Sequence, residues 1–136
     1  MNKNNFEHRV IGHIMFRKGL YKIAEYDREY IIRLSDLGIK IEKPSTKIYY
    51  SDLYELNNEE LVLESVRIEN CYGTFPVING IKPMRSGGAI IYKMLRMPVD
   101  YTGTIIVTRG NSCREKLYRI ILNEGGVTGI ENIGTG

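Results

Sequence analysis

Hydrophobic and polar positions first alternate with a period of two. In "HRVIGHIMF", residues 8–16, Val10, Gly12, Ile14 and Phe16 share one face, the pattern of a half-buried strand. The period then lengthens. Across "GLYKIAEYDREYIIRLSDLGI", residues 19–39, Leu20, Ile23, Ala24, Tyr30, Ile31, Leu34 and Leu37 recur near helical spacing with Gly38 as C-cap, which predicts a helix. A two-stranded hairpin about "EYDRE" competes, because Tyr and Ile favour pleated structure.

In the middle of the chain, "KIYY" and "ELVLESVRI" both read as strands, joined by a turn at the "NN" of residues 57–58. "PVINGIKPMRSGG", residues 76–88, is rich in Pro and Gly and predicts a loop. "AIIYKMLRM" reads as a short helix or an edge strand, stopped by Pro98. "GTIIVT" is a β-branched run bounded by turn residues, hence a buried strand. In "SCREKLYRIILNEGG", Ser112 and Glu115 have capping-box spacing, Leu117, Tyr118, Ile121 and Leu122 share a helical face, and Gly125 ends it. The expectation is strand, tight turn, capped helix, with a β-hairpin turning at "RGN" as the alternative. The expected fold class is α+β: one small domain, residues 1–136, with a mixed or mainly antiparallel sheet and two or three short helices.

Composition narrows the setting. A hydrophobic share of 43% and a charged share of 26% fit a folded soluble protein. No uncharged run approaches the roughly 20 apolar residues that span a bilayer, and the charged N-terminal stretch lacks the apolar core of a signal peptide. A cytoplasmic setting without membrane partners is expected. Cys71 and Cys113 then read as reduced thiols. With His8 and His13 they show no metal-ligand spacing, so neither metal nor cofactor is expected. Glu59, Glu60 and Glu64 read as a solvated face.

The chemistry concentrates in two loops. If a helix starts at Ser112, its first N–H groups lack carbonyl partners and favour an anion, with Arg109, Gly110, Asn111, Ser112 and Arg114 around it. Arg85, Ser86, Gly87 and Gly88 repeat the recipe of a cation and small residues before a candidate helix, without the spacing of a nucleotide-hydrolase loop. "TRGNSCRE", residues 108–115, resembles the anion loop of low-molecular-weight protein tyrosine phosphatases and the related thioredoxin-coupled arsenate reductases, C-x-G-N-x-C-R-[ST]. Gly110, Asn111, Cys113 and Arg114 occupy matching positions, whereas Thr108 stands at the nucleophile and Glu115 replaces the final Ser or Thr. A Thr hydroxyl does not ionise near neutrality as a cysteine thiol can, and no D-P general acid is present. The resemblance therefore implies a grip on an anion without turnover. Cys113 and Arg119 have C-x5-R spacing, but the bulky residues between them make no cradle.

A net charge of +3 is compatible with an anionic partner. These features predict a non-enzymatic binder of a phosphate-bearing ligand, a nucleotide or nucleic acid, fitting a small regulator from a mobile element. Ten Tyr and no Trp raise the alternative of a protein-interaction module or inhibitor with a Tyr-rich interface. A protein partner or a second copy of the chain stays open as a partner.

Overall fold

Arg17 and Lys18 both take positive φ, 51° and 61°. Two such residues in succession match the right-handed twist of a hairpin, and here they join β1 (Glu7–Phe16) to β2 (Gly19–Tyr26). The same device recurs at Asn58 and Glu59 and at Glu124 and Gly125. In this computed structural model, residues 7–26, 31–41, 48–69, 73–111 and 114–135 are described, with 7–10, 25, 26, 41, 48, 110, 111, 114, 115 and 135 described by backbone alone.

A 3-10 turn, Leu34–Leu37, follows β2 and ends at Gly38 in the left-handed region. Next come β3 (Lys40–Ile41) and the hairpin of β4 (Ile48–Asn57) and β5 (Glu60–Glu69). Short β6 (Gly73–Thr74) pairs β3. A second hairpin joins β7 (Met84–Ser86) to β8 (Ala89–Tyr92). The chain then forms β9 (Met97–Pro98), β10 (Gly103–Asn111), β11 (Arg114–Asn123) and β12 (Gly126–Thr135).

Seven strands close into a barrel in the order β12-β11-β10-β2-β1-β4-β5, with β12 returning to β5. β1 and β4 run parallel and the other neighbours antiparallel. Closure is narrow. Gly126 pairs Glu60, Leu61 N–H donates to Gly125 O at 2.8 Å, and Val127 N–H donates to Glu59 O at 2.8 Å. The rest of that β5 edge is covered by β8, with β7 beyond it, and by β9.

The core is the inward half of each alternation: Ile14 and Phe16, Tyr21 and Ile23, Tyr50 and Tyr54, Ile105 and Val107, Ile120 and Leu122 are all buried. On β5 the parity switches at a register shift opposite Leu53 and Tyr54, so Leu61 and Leu63 point inward before it and Val66 and Ile68 after it. A bulge re-aims a strand in this way. Ile31, Ile32, Leu34, Leu37 and Ile39, around the 3-10 turn, add to the same core. Buried tyrosine hydroxyls find acceptors: Tyr92 donates to Pro76 O at 2.6 Å, Tyr101 to Thr104 O at 3.3 Å, and Tyr54 to the buried Asp52 carboxylate at 2.7 Å.

The expected α+β class with two or three helices is thus corrected to a closed β-barrel, whose only helical piece among the described residues is the 3-10 turn. The misreading has a physical origin. Residues 19–24 place Tyr21 and Ile23 inward while Leu20 is 48% exposed on the outer face, so apolar side chains on both faces mimic helical spacing. Residues 19–26 are strand and not helix, and β2 turns back on β1 through Arg17 and Lys18; residues 27–29 of the competing hairpin lie outside the described residues. On β11, Tyr118, Ile120 and Leu122 alternate inward while Leu117 and Ile121 are half-buried outside. Ser112 lies outside the described residues, but the helix it was expected to cap is strand. The 89–97 segment opens as strand β8, inside the sheet and not at its edge. The strand at residues 8–16, the hairpin about residues 57–58 and the strand in "GTIIVT" are where their patterns put them.

Candidate functional site

At one end of the barrel the inward series runs out into charge. Val107 is buried on β10, and Arg109, two positions on, pairs directly with Lys116 of β11. Both therefore stand on the inward-facing rows, at the rim of the barrel and exposed. Below them, Phe16, Tyr21 and Tyr118 fill the end of the barrel. Their centroids are 5.1 Å (Phe16–Tyr21), 5.3 Å (Phe16–Tyr118) and 5.8 Å (Tyr21–Tyr118) apart, all edge to face. This is the geometry aromatic quadrupoles prefer.

Two guanidiniums roof this aromatic floor. Arg17, from the β1–β2 turn, lies 5.1 Å from the Phe16 centroid and 5.2 Å from that of Tyr118. Arg109 lies 5.8 Å from the Tyr21 centroid. Gly19 makes room for it: a Cβ at that position would run into the Arg109 guanidinium. Lys18 adds a fourth exposed cation beside Arg17. Among the described residues, ion pairs join Arg33 to Asp36, Arg67 to Glu69 and Arg119 to Glu131, and no carboxylate pairs with Arg17, Lys18, Arg109 or Lys116. Like charges directly across an antiparallel pair disfavour folding by about 0.2–1 kcal/mol, so Arg109 facing Lys116 is a feature the fold tolerates at a cost. An anion seated between them reverses that sign.

The loop read from the sequence as an anion site lies here, in a different form. Arg109, Gly110 and Asn111 end β10, and the ladder continues to Asn111 opposite Arg114. Ser112 and Cys113 lie outside the described residues. No helix N-terminus supplies donors, so the resemblance to a phosphatase loop fails at the level of backbone. Thr108, at the nucleophile position, is on the sheet face opposite Arg109, with its hydroxyl buried.

Arg85, Ser86, Gly87 and Gly88 belong to the β7–β8 hairpin and are exposed. Ala89 pairs Glu69, Glu69 pairs Tyr49, and Tyr49 pairs His8, which puts that hairpin at the level where β1 begins. Thr108 pairs Lys22 and Lys22 pairs His13, which puts Arg109 where β1 ends. The two expected loops therefore occupy opposite ends of the sheet, and no single nucleotide touches both. Sequence reasoning missed Arg17, Lys18, Lys116 and the aromatic floor. The signal was the "RKG" between two strand-like runs, which marks a hairpin tip once residues 19–26 are read as strand.

A second feature lies on the outer face. A groove of about 390 Å³ crosses β2, β1, β4, β5 and β8, with Leu20, Met15, Leu53 and Ile91 along its floor and His13, Ser51, Ser65, Arg67 and Lys93 around it. On its flank, Glu55 is the cross-strand partner of Met15. The Glu64 carboxyl is held above its usual range, chiefly by burial and then by the charge of Glu55 and a hydrogen bond with it, against the opposing pull of Arg96. No cluster of three metal-ligating side chains occurs among the described residues; Cys71 and Cys113 lie outside them, and the His8 side chain is not described.

Seven of the ten tyrosines have described side chains. Tyr21, Tyr50, Tyr54, Tyr92 and Tyr101 are core residues, Tyr118 is half-buried and Tyr49 is exposed. No helix among the described residues is long and apolar enough to cross a membrane. No protein-family model matches the chain, and neither does any characterised protein or solved structure.

Proposed function

We propose that this protein is a non-enzymatic binder of a phosphate-bearing ligand, a nucleotide or nucleic acid, and that the cationic barrel mouth grips the phosphate. One observation carries the reading: Arg17, Lys18, Arg109 and Lys116 converge on one rim with no carboxylate partner among the described residues, two of them already stacked on rings. Lying over the rings restrains each guanidinium, so less rotamer freedom is lost when it meets phosphate oxygens. The reading needs no bond-breaking group at the mouth.

The alternative of a Tyr-rich protein interface draws less support, because five of the described tyrosines serve the core. A cytoplasmic setting is part of the proposal. Apart from Asp52 the buried core is hydrophobic, and the outer face carries Lys22, Arg67 and the Arg119–Glu131 pair, the reverse of what lipid requires of a barrel wall.

The test is binding of ATP and of fluorescein-labelled oligothymidine between 50 and 200 mM salt, in the wild type and in an Arg17→Ala, Arg109→Ala double variant. Four cations acting on single-stranded phosphates give a slope of log affinity against log salt near −3, from about 0.7 per neutralised phosphate. A salt-independent affinity, or a double variant that binds like wild type, refutes the mouth as the phosphate site.

A further inference from the structure

We infer that the ligand is a single-stranded nucleic acid whose chain leaves the mouth and lies in the outer groove toward the β7–β8 hairpin. The inference rests on the phosphate reading of the mouth and narrows it from nucleotide or nucleic acid to a strand. Continuity comes first. Leu20, at one end of the groove floor, is two residues from Lys18 of the mouth, and Ile91, at the other end, pairs Met84 beside Arg85. The groove thus links the two cationic loops that the fold places at opposite ends.

Size comes second. From β2 to β8 the floor crosses four strand spacings, about 19 Å at the ~4.8 Å separation of neighbouring strands. That exceeds one nucleotide and suits several. Small β-barrels that hold single strands cover roughly 4–16 nucleotides.

Chemistry comes third. Leu20, Met15, Leu53 and Ile91 form an apolar floor, and Tyr49, 41% exposed, stands two residues from Ser51 on the same outward row of β4. Such a floor suits the faces of unpaired bases, which a duplex keeps stacked inside. Along the groove, Lys22 pairs His13 at the mouth end, while Lys93 and Arg67 stand at the far end, with Arg67 shared with Glu69. Ser51 and Ser65 supply hydroxyls between them. Glu55 and Glu64 occupy the opposite flank from Lys22, so the phosphates run along the Lys22 and His13 side and the bases lie on the floor.

The experiment is fluorescence anisotropy at 50 mM salt with labelled oligothymidine of two and of eight nucleotides and with an eight-base-pair duplex. It compares wild type with a Lys22→Glu, Lys93→Glu double variant whose fold is checked by circular dichroism. Both lysines are exposed, so the variant should keep the wild-type spectrum and melting temperature. The inference expects the eight-mer to bind more tightly than the two-mer and than the duplex. It also expects the variant to lose about tenfold or more for the eight-mer while holding the two-mer as wild type does. Equal affinity for two-mer and eight-mer, an unaffected variant, or a duplex that binds as well as the single strand overturns the groove and leaves the mouth standing. If no probe binds, the mouth reading falls and the groove with it.

Discussion

Gly125 sits at the seam where β12 closes onto β5, and Gly125→Ala tests whether that closure governs stability. Its φ is +84°, a region that costs an L-residue roughly 1–2 kcal/mol. A Cβ there would also run into the Val99 carbonyl oxygen, which is backbone and has little room to yield. Moving Val99 disturbs a connected set of hydrogen bonds: Val99 N–H to Leu61 O at 3.0 Å, Leu61 N–H to Gly125 O at 2.8 Å and Gly125 N–H to Tyr101 O at 2.9 Å. At about 0.5–1.5 kcal/mol per bond, weakening two of them brings the expected loss to about 2–5 kcal/mol. That is a large part of the ~5–15 kcal/mol that stabilises a typical domain. Gly87→Ala is the control. Gly87 has φ +62° but open space around its missing Cβ, so only the backbone term of roughly 1–2 kcal/mol applies. Urea unfolding gives both differences, and the melting temperature of Gly125→Ala should fall by about 7–18 °C. If Gly125→Ala is no more destabilising than Gly87→Ala, the closure contacts are not what holds the barrel shut.

Arg109→Ala should leave stability within about 1 kcal/mol of wild type, because losing the Tyr21 stacking of about 0.5–1 kcal/mol is offset by relieving the charge of Lys116 across the ladder; a larger loss by urea unfolding would make Arg109 a structural residue. Tyr54→Phe removes a hydrogen bond to the buried Asp52 carboxylate and should cost about 1.5–3 kcal/mol by the same measurement, whereas a cost below 0.5 kcal/mol would mean that other contacts suffice for Asp52. Burial pushes the Tyr92 hydroxyl up to about 12 from its ordinary 10.0. The stability this gives is fully present below pH 10 and fades as pH rises toward 12; absorbance titration at 295 nm should show a late-ionising tyrosine that vanishes in Tyr92→Phe. Glu64 holds its proton above the usual carboxyl range, so stability should increase as pH falls through its raised pKa, and Glu64→Gln should flatten that increase in melting temperature.

Local pattern alone determined several parts of this protein. Alternation marks β1 through Ile14 and Phe16. The β-branched run of "GTIIVT" marks β10, and polar residues between two apolar runs mark the β4–β5 hairpin. These were legible because one choice of period fits each of them. Residues 19–26 and 114–123 were not legible. Their apolar residues serve the core on one face and partly covered outer surface on the other, and a segment apolar on both faces satisfies helical and strand periods together. Only pairing with β1, β10 and β12 decides between them, through hydrogen bonds to strands distant in the chain. The candidate site shows the same division. Arg109 stood out as a cation in a turn-like stretch, but its neighbours could not be read from that stretch, since Arg17, Tyr21 and Tyr118 reach it through the β1–β2 turn and the β2–β10–β11 ladder. Sequence spacing fixes which residues share a strand face. Register and barrel closure fix which faces meet, and that long-range geometry gathers the cations at one rim and separates the loop of Arg85 from the loop of Arg109.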